Sequence, residues 1–178
     1  MTLSDWLEEN VTQDPRALEW FGRGTQRDDA RAQHCEERIV RAYRDLLSGY
    51  TIDPATILKT TRVLAPEEKP GVVTVVDISF ASICAHHFLP FFGKVTASYV
   101  PGDRILGLGK LPRLVQAYAR RFQIQEDLVK EIAEELMHSG GARAAHVSCE
   151  ARHLCICARG PSDPTSFTRT EYRTGTWP

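Results

Sequence analysis

One short segment, residues 82–87, carries the side chains best suited to hold a metal ion. Cys84 and His87 are three residues apart and directly follow a β-branched run, where a strand must leave its sheet. Zinc accepts a thiolate and an imidazole together, so both side chains can bind one ion. The alternative is that Cys84 packs as a small apolar residue while the neighbouring histidines lie at the surface. Taken alone, the segment leaves both interpretations open.

A second group of candidate ligands lies in residues 152–157, whose composition is typical of a strand. A period of two places His153, Cys155 and Cys157 on one face of that strand. With Cys155 as the third ligand, a zinc ion would keep one position open for water, as catalytic sites do. The alternative is a closed structural site in which Cys157 is the fourth ligand, although about 6–7 Å separates alternate strand side chains.

A third segment, residues 107–113, is basic. Lys110 and Arg113 are three residues apart at a predicted helix start, beside backbone N–H groups that have no helical partner. Such a helix start suits an anion such as phosphate. The segment is not a Walker loop, because neither Ser nor Thr follows Lys110. The alternative is a pair of solvated basic residues.

Helices are predicted on both sides of the first strands. Apolar spacings of three and four predict a helix over residues 28–48, and Asp53 is the expected cap of a short second helix. The apolar stripe of residues 111–137 is interrupted at residues 123–126, which predicts two helices. Residues 1–27 show no sustained period and are interpreted as a peripheral arm.

Strand composition alternates with these helices. The predicted strands cover residues 72–80, 93–100 and 143–159, with a further edge strand in the tail after residue 160. This order of elements predicts an α+β protein with an antiparallel sheet and helices on one face. We expect an N-terminal helical arm over residues 1–60 and a catalytic domain over residues 61–178.

Composition excludes several classes of protein. The 178 residues are 42% hydrophobic and 25% charged, with a net charge of −1, so no global field attracts nucleic acid or an anionic membrane. No apolar run reaches the roughly 20 residues that cross a bilayer, and the N-terminus does not resemble a secretory signal. We therefore expect a cytoplasmic protein with neither partner. The five cysteines favour metal ligation or free thiols over a disulfide framework.

The three chemical segments together resemble the class I GTP cyclohydrolases. The likeness runs from about residue 38 to residue 160, and its motifs follow the family's order. These motifs are Cys84-x-His86-His87, Leu89-Pro90-Phe91-x-Gly93-Lys94, Gly107-Leu108-Gly109-Lys110-Leu111-x-Arg113, Gln123-x-Gln125-Glu126 and His153-x-Cys155-x-x-x-Arg159-Gly160.

The resemblance implies a tunnelling fold, in which antiparallel strands are backed by a helix pair and subunits form rings. It implies a decamer of two stacked pentamers with active sites between subunits. The implied reaction opens the GTP imidazole ring, releases C8 as formate, rearranges the ribose and closes the ring to dihydroneopterin triphosphate.

The resemblance also implies a role for each metal-site residue. Cys84, His87 and Cys155 would hold one Zn²⁺ per subunit, which acidifies the water that attacks C8. His86 and His153 resemble the family's catalytic proton-transfer residues, and an ordinary imidazole titrates near neutral pH. The alternative role for the two histidines is support of the zinc ligands.

Five further residues match substrate contacts of the family. Glu126 resembles the carboxylate that recognises the guanine edge, with Gln125 beside it. Lys110, Arg113 and Arg159 resemble contacts to the triphosphate, and guanidinium groups form forked hydrogen bonds with phosphate. Without the resemblance, Glu126 would be interpreted as a solvated carboxylate between two helices.

The chain departs from the family motifs at three places. Ala85 stands where the family has Glu, Gly109 stands where it has Ser, and residues 35–38 lack the usual Thr-Pro. The metal and phosphate residues are all retained. The departures therefore bear on the later chemical steps and on the identity of the purine.

Two alternatives to GTP hydrolysis follow. The first is a specialised paralogue that acts on a related guanine nucleotide or stops at the formamidopyrimidine intermediate. The second is a non-catalytic family member that binds a nucleotide. Retention of the ligands, both histidines and Glu126 argues against the second, because a binding module has no need of an open zinc site.

Overall fold

The structure is a computed structural model that describes residues 30–59 and 61–178. The arm predicted over residues 1–27 lies outside these residues. The helices are α1 (Ala30–Leu46), α2 (Pro54–Ile57), α3 (Lys110–Ala119), α4 (Gln125–His138) and α5 (Leu154–Cys157). The strands are β1 (Thr61–Val63), β2 (Val73–Cys84), β3 (Pro90–Val100), β4 (Arg104–Leu106), β5 (Phe122–Gln123), β6 (Ala144–His153) and β7 (Thr168–Gly175).

The first two predicted helices are present. Within the described residues, α1 covers most of the helix predicted over residues 28–48. The Asp53 side chain caps α2 by accepting a hydrogen bond from the Ala55 N–H at 3.1 Å, as the sequence predicts. Residues from Asp45 to Pro178 form a compact unit that contains every predicted site residue. The domain boundary expected at residue 60 stays a prediction.

The main sheet has five strands in the order β5-β2-β3-β6-β7. Neighbours pair antiparallel, except that β5 runs parallel to the end of β2. Strand β2 extends to Cys84, four residues beyond its predicted end. The tail supplies β7 as an edge strand. Strands β1 and β4 form a separate two-stranded sheet.

The predicted helix pair is present as α3 and α4. Helix α3 packs against β2, and α4 packs against β6 and β7. The core between them buries aliphatic side chains of both helices, including Leu111, Leu114, Val115, Leu128, Ile132 and Leu136. This architecture confirms the predicted α+β class, with a mostly antiparallel sheet backed by a helix pair.

One predicted strand is shorter than expected. Residues 143–159 were expected to continue as a strand, but β6 ends at His153 and α5 follows as one helical turn. The Ala158 N–H donates to the Leu154 carbonyl at 2.9 Å, which closes that turn. Residues two apart on a helix point about 200° apart, so Cys155 and Cys157 do not share a face.

Candidate active site

A tight turn at the end of β2 brings two metal-ligating side chains together. The Cys84 carbonyl accepts hydrogen bonds from the N–H groups of His87 at 3.3 Å and Phe88 at 2.9 Å. Phe88 has a positive φ of 55°, an uncommon conformation for a side chain of this size. The turn places His87 Nδ1 3.6 Å from Cys84 Sγ.

The sheet register brings the third ligand to the same place. Strand β3 lies between β2 and β6, and Phe91 of β3 is opposite both Ser82 and His153. Cys84 lies two residues after Ser82, and Cys155 lies two residues after His153, so the two cysteines leave the sheet at the same level. The ligand atoms of Cys84, His87 and Cys155 all lie within 4.8 Å of one another. The structure therefore brings together the three side chains that the sequence analysis names as zinc ligands.

The three side chains fit a zinc ion. Zinc–sulfur and zinc–nitrogen bonds of about 2.3 and 2.0 Å place tetrahedral ligand atoms about 3.5–3.8 Å apart. The 3.6 Å separation of Cys84 Sγ and His87 Nδ1 falls in that interval. Burial and the neighbouring Cys84 raise the pKa of the Cys155 thiol, because two thiolates repel each other. A divalent cation would offset that repulsion, and two thiolates with one imidazole suit zinc.

Cys157 does not join this group. Among the residues that the structure describes, Cys84, His87 and Cys155 are the only set of three or more such side chains close enough to share an ion. The helical turn α5 directs Cys157 away from Cys155. The arrangement therefore favours the three-ligand site over a closed tetrahedron.

His153 lies beside the metal group and is held on two sides. Its ring stacks on Phe91, with the ring centroids 4.5 Å apart and the planes 4° from parallel. Its Nε2 atom lies 2.7 Å from the Gln125 side-chain oxygen. Burial lowers the pKa of His153, and the nearby Glu126 carboxylate opposes that shift. The imidazole is consequently neutral at neutral pH and carries one donor and one acceptor.

The two predicted guanine contacts have different surroundings. Glu126 is exposed in the first turn of α4 and free of a described salt bridge, so it can face a ligand. Gln125 is only 3% exposed, and its amide bonds to the Cys149 and Thr168 carbonyls and to His153. The Gln125 amide, which the sequence analysis placed in contact with substrate, is therefore already hydrogen-bonded to other groups of the chain.

The other predicted residues near the metal group are exposed. The His86 ring lies edge-on to that of His87, with centroids 6.1 Å apart. Arg159 is exposed and lies close enough to lower the pKa of Cys155, against the larger effects of burial and Cys84. A cation beside the metal group is consistent with a site for an anionic ligand.

Lys110 and Arg113 are not part of this group. Helix α3 runs parallel to β2, since Gln116 donates to the Ser79 carbonyl and Ser82 donates to the Arg121 carbonyl. Gln116 and Ser79 therefore lie side by side. Lys110 precedes Gln116 by six helical residues, about 9 Å along the helix, and Cys84 follows Ser79 by five strand residues, about 16 Å in the opposite direction. Lys110 consequently lies roughly 25 Å from Cys84.

The far end of the sheet fixes that placement independently. The Leu106 N–H donates to the Tyr99 hydroxyl at 2.8 Å, and Tyr99 is opposite Val73, the first residue of β2. Residues 107–113 therefore start from the end of β2 opposite Cys84. The basic helix start and the metal group lie at opposite ends of one strand.

Sequence reasoning missed two residues of the site. Phe91 lies within a quoted motif, and its place opposite His153 follows only from the strand register. Thr168 begins β7 and bonds to Gln125, although nothing in its sequence neighbourhood indicates a role.

Fold and site together define a class: an α+β protein with a Cys-His-Cys group that could hold a metal ion and a half-buried histidine beside it. The model of the family described as GTP cyclohydrolase I matches residues 12–178. The chain belongs to the GTP cyclohydrolase I family, and this membership confirms the tunnelling fold expected from the resemblance.

Curated relatives agree with that assignment. GTP cyclohydrolase 1 of Campylobacter lari is 44% identical over 140 residues, which cover 79% of this chain and 73% of that protein. GTP cyclohydrolase 1 of Porphyromonas gingivalis is 41% identical over 138 residues, covering 78% and 70% respectively. The crystal structure of the archaeosine synthase QueF-Like in the apo form matches 62% of this chain and 100% of its own, at 16% identity and a TM-score of 0.49.

Within the described part of the chain, no helix has both the length and the apolar character needed to span a membrane.

Proposed function

We propose that this chain hydrolyses GTP at C8, releases formate and forms dihydroneopterin triphosphate. The observation that carries the proposal is the convergence of Cys84, His87 and Cys155 beside a half-buried, neutral His153. A structural zinc site needs four protein ligands and no adjacent proton-transfer group. Membership of the GTP cyclohydrolase I family supplies the substrate class.

We assign one zinc ion to Cys84, His87 and Cys155. The chemistry that zinc supplies when bound is Lewis-acid activation of water, which suits attack on an amidine carbon. His153 holds and transfers protons at the reacting atoms, because its neutral ring has both a donor and an acceptor. His86, exposed beside His87, is the second candidate for proton transfer.

Substrate recognition is assigned to charged groups around this cluster. Glu126 accepts from the ring N–H and the amine of guanine, for which an exposed carboxylate near His153 is well placed. Arg159 contacts the triphosphate from the same chain. Lys110 and Arg113 lie roughly 25 Å from the cluster along the sheet, so they would contact the triphosphate only in the site of another copy.

This separation supports an oligomer in which two copies complete each site. A heterologous interface between identical chains closes into a ring when its rotation permits. The ring expected from the family, doubled into a decamer of two pentamers, is our proposal for the assembly.

The test is incubation of the zinc-loaded protein with GTP, followed by formate measurement and product mass. The expected result is one formate per GTP consumed and a product with the mass of dihydroneopterin triphosphate. An opened pyrimidine that retains its formyl group would instead assign the specialised paralogue. Unchanged GTP, with near-stoichiometric zinc and bound nucleotide, would assign the non-catalytic alternative.

Ala85 is the specific reason to test that paralogue. Its backbone N–H donates to the Gln123 carbonyl at 3.0 Å, so this position adjoins the metal turn. Ala85→Glu restores the family carboxylate, and we expect a change in rate of about tenfold or in product, equivalent to one charged contact. The same rate and product in the variant would show that the departure at Ala85 has no bearing on the reaction.

A further inference from the structure

Gln125 is bound by the chain at every hydrogen-bonding position of its amide. It is the first residue of α4 and is 3% exposed. Its Nε2 atom donates to the Cys149 carbonyl at 3.1 Å and to the Thr168 carbonyl at 3.2 Å. An amide nitrogen carries two protons, so these two carbonyls use both.

Those two bonds fix which way the amide faces. In the flipped orientation, the buried Gln125 oxygen would oppose two carbonyl oxygens and the Nε2 protons would lose both acceptors, which is costly. The side-chain oxygen therefore accepts a hydrogen bond from the Thr168 hydroxyl and faces His153 Nε2 at 2.7 Å. The two carbonyls set the orientation of the amide, and the Thr168 hydroxyl reinforces it.

The fixed amide determines where the proton of His153 lies. An amide oxygen only accepts, so the His153 nitrogen that faces it must be the N–H. The ring therefore carries a proton at Nε2, and Nδ1 is the nitrogen whose lone pair it can offer. In general, the hydrogen-bond partner of one ring nitrogen decides which nitrogen of a neutral histidine is protonated.

Phe91 restrains the remaining freedom of the His153 ring. Phe91 is fully buried and opposite His153 in the β3–β6 register. The parallel stacking of the two rings fixes the plane of the imidazole, while Gln125 fixes its rotation within that plane. Both restraints are complete within one chain.

We propose that Gln125, held in orientation by Thr168, is a positioning residue that fixes the rotation and the tautomer of His153, so that Nδ1 is the proton acceptor offered to the substrate. This role replaces the direct substrate contact expected for Gln125 from the sequence. The inference rests on the proposed function, in which His153 transfers protons.

A series at Thr168 tests the role through kinetics. Thr168→Val keeps the shape and removes the hydroxyl, and we expect kcat to fall about 5–10-fold with KM unchanged, as for one lost hydrogen bond. Thr168→Ser restores the donor and should recover most of that kcat. Gln125→Met removes the whole contact, with an expected fall of about 100-fold, the lower end of proton-transfer catalysis.

Thr170 provides the matched control. It lies two residues along β7 on the same side, and its buried hydroxyl has no hydrogen-bond partner among the described residues. Thr170→Val makes the same chemical change and should leave kcat and KM as they are. Equal losses in Thr168→Val and Thr170→Val, or a change in KM alone, would overturn the positioning role.

The tautomer is tested directly by ¹⁵N NMR of the zinc-loaded protein with labelled histidine, assigned by comparison with His153→Asn. We expect His153 to carry its proton on Nε2 in the wild type, with a mixture of tautomers in Gln125→Met. A proton on Nδ1 in the wild type would refute the inference. This measurement is independent of turnover, whereas unchanged GTP with the wild type would refute the proposed function instead.

Discussion

The two ends of strand β2 differ in how far one chain completes them. At the Cys84 end, a hydrogen-bonded turn, the strand register and a buried amide bring the metal ligands and His153 together. At the Val73 end, the helix start bearing Lys110 and Arg113 has an exposed Arg113 and no side-chain cap. The comparison indicates that Cys84, His87, Cys155 and His153 come together within one chain, whereas the assembly that we propose would supply Lys110 and Arg113 from a second copy.

The largest expected effect is loss of a metal ligand. Cys155→Ser should abolish stoichiometric zinc binding and lower kcat/KM at least about 1,000-fold, because several kcal/mol of metal assistance are lost. Cys157→Ser is the matched control, since α5 directs that thiol elsewhere. Zinc content and GTP turnover measure both. Equal zinc loss in the two variants would instead support the closed structural site in which Cys157 is the fourth ligand.

A smaller effect is expected at the basic end. Arg113→Ala should raise the KM for GTP about 10–100-fold through loss of a charge-assisted hydrogen bond, with zinc content unchanged. Lys130→Ala removes a comparable exposed charge from α4, where the cation lies near Glu134, and should leave KM as it is.

Mixing variants sharpens the same comparison. When Cys155→Ser and Arg113→Ala chains are unfolded and reassembled together, about a quarter of the sites should combine an intact metal group with an intact Arg113, if two copies form each site. The mixture should then recover about a quarter of wild-type activity. Activity no greater than the average of the two separate variants would contradict the shared site.

A further effect, on stability, is expected at Cys149, which is opposite Val95 in the middle of the sheet. Burial raises the pKa of the Cys149 thiol on β6 to about 12, above its ordinary value of 9.0. The folded state therefore holds the proton more tightly, so stability is complete below pH 9 and is lost as the pH rises towards 12, by up to about 1.4 kcal/mol per pH unit.

Thermal unfolding between pH 8 and pH 11 measures this loss. The midpoint of the wild type should fall more steeply with pH than that of Cys149→Ala, which has no thiol to ionise. Parallel curves would mean that water reaches Cys149 in the folded state.

The smallest effect is expected at Gly109. A Cβ atom there meets nothing within 4 Å, and the Gly109 position caps α3 without a side-chain hydrogen bond. Gly109→Ser should therefore raise stability by about 0.4–1 kcal/mol, because the φ of −67° suits any residue and serine has less backbone freedom to lose on folding than glycine. A lowered thermal midpoint would show that this end is less open than its geometry indicates.

The Cys84 and His87 part of the metal group could be predicted from sequence because its signals are local. Cys84 and His87 are separated by one turn, and the apolar β2 run leads directly to them. The helix pair was likewise visible in its apolar stripe. Features of this kind depend on residues within a few positions of one another, which periodicity detects.

The remaining features depend on distant parts of the chain. The turn α5 has the composition Leu-Cys-Ile-Cys, which is typical of a strand, and tertiary context overrides that weak preference. The amide of Gln125 is occupied by groups 24 and 43 residues away, on β6 and β7. The distance between Lys110 and Cys84 follows from the direction of α3 along β2. None of these relations leaves a local pattern.

The short parallel pairing of β5 with the end of β2 has a consequence for how this sequence can vary in length. Cys84 pairs with Gln123, and Gln125 follows two residues later. The pairing of β5 with β2 therefore fixes the position of the turn after Cys84 relative to the start of α4. A single inserted residue between Gln123 and Gln125 would shift Gln125 relative to His153 while leaving Cys84 paired. Residues 161–167 pair with no strand, so insertions there should be tolerated where the connection between α3 and α4 allows none.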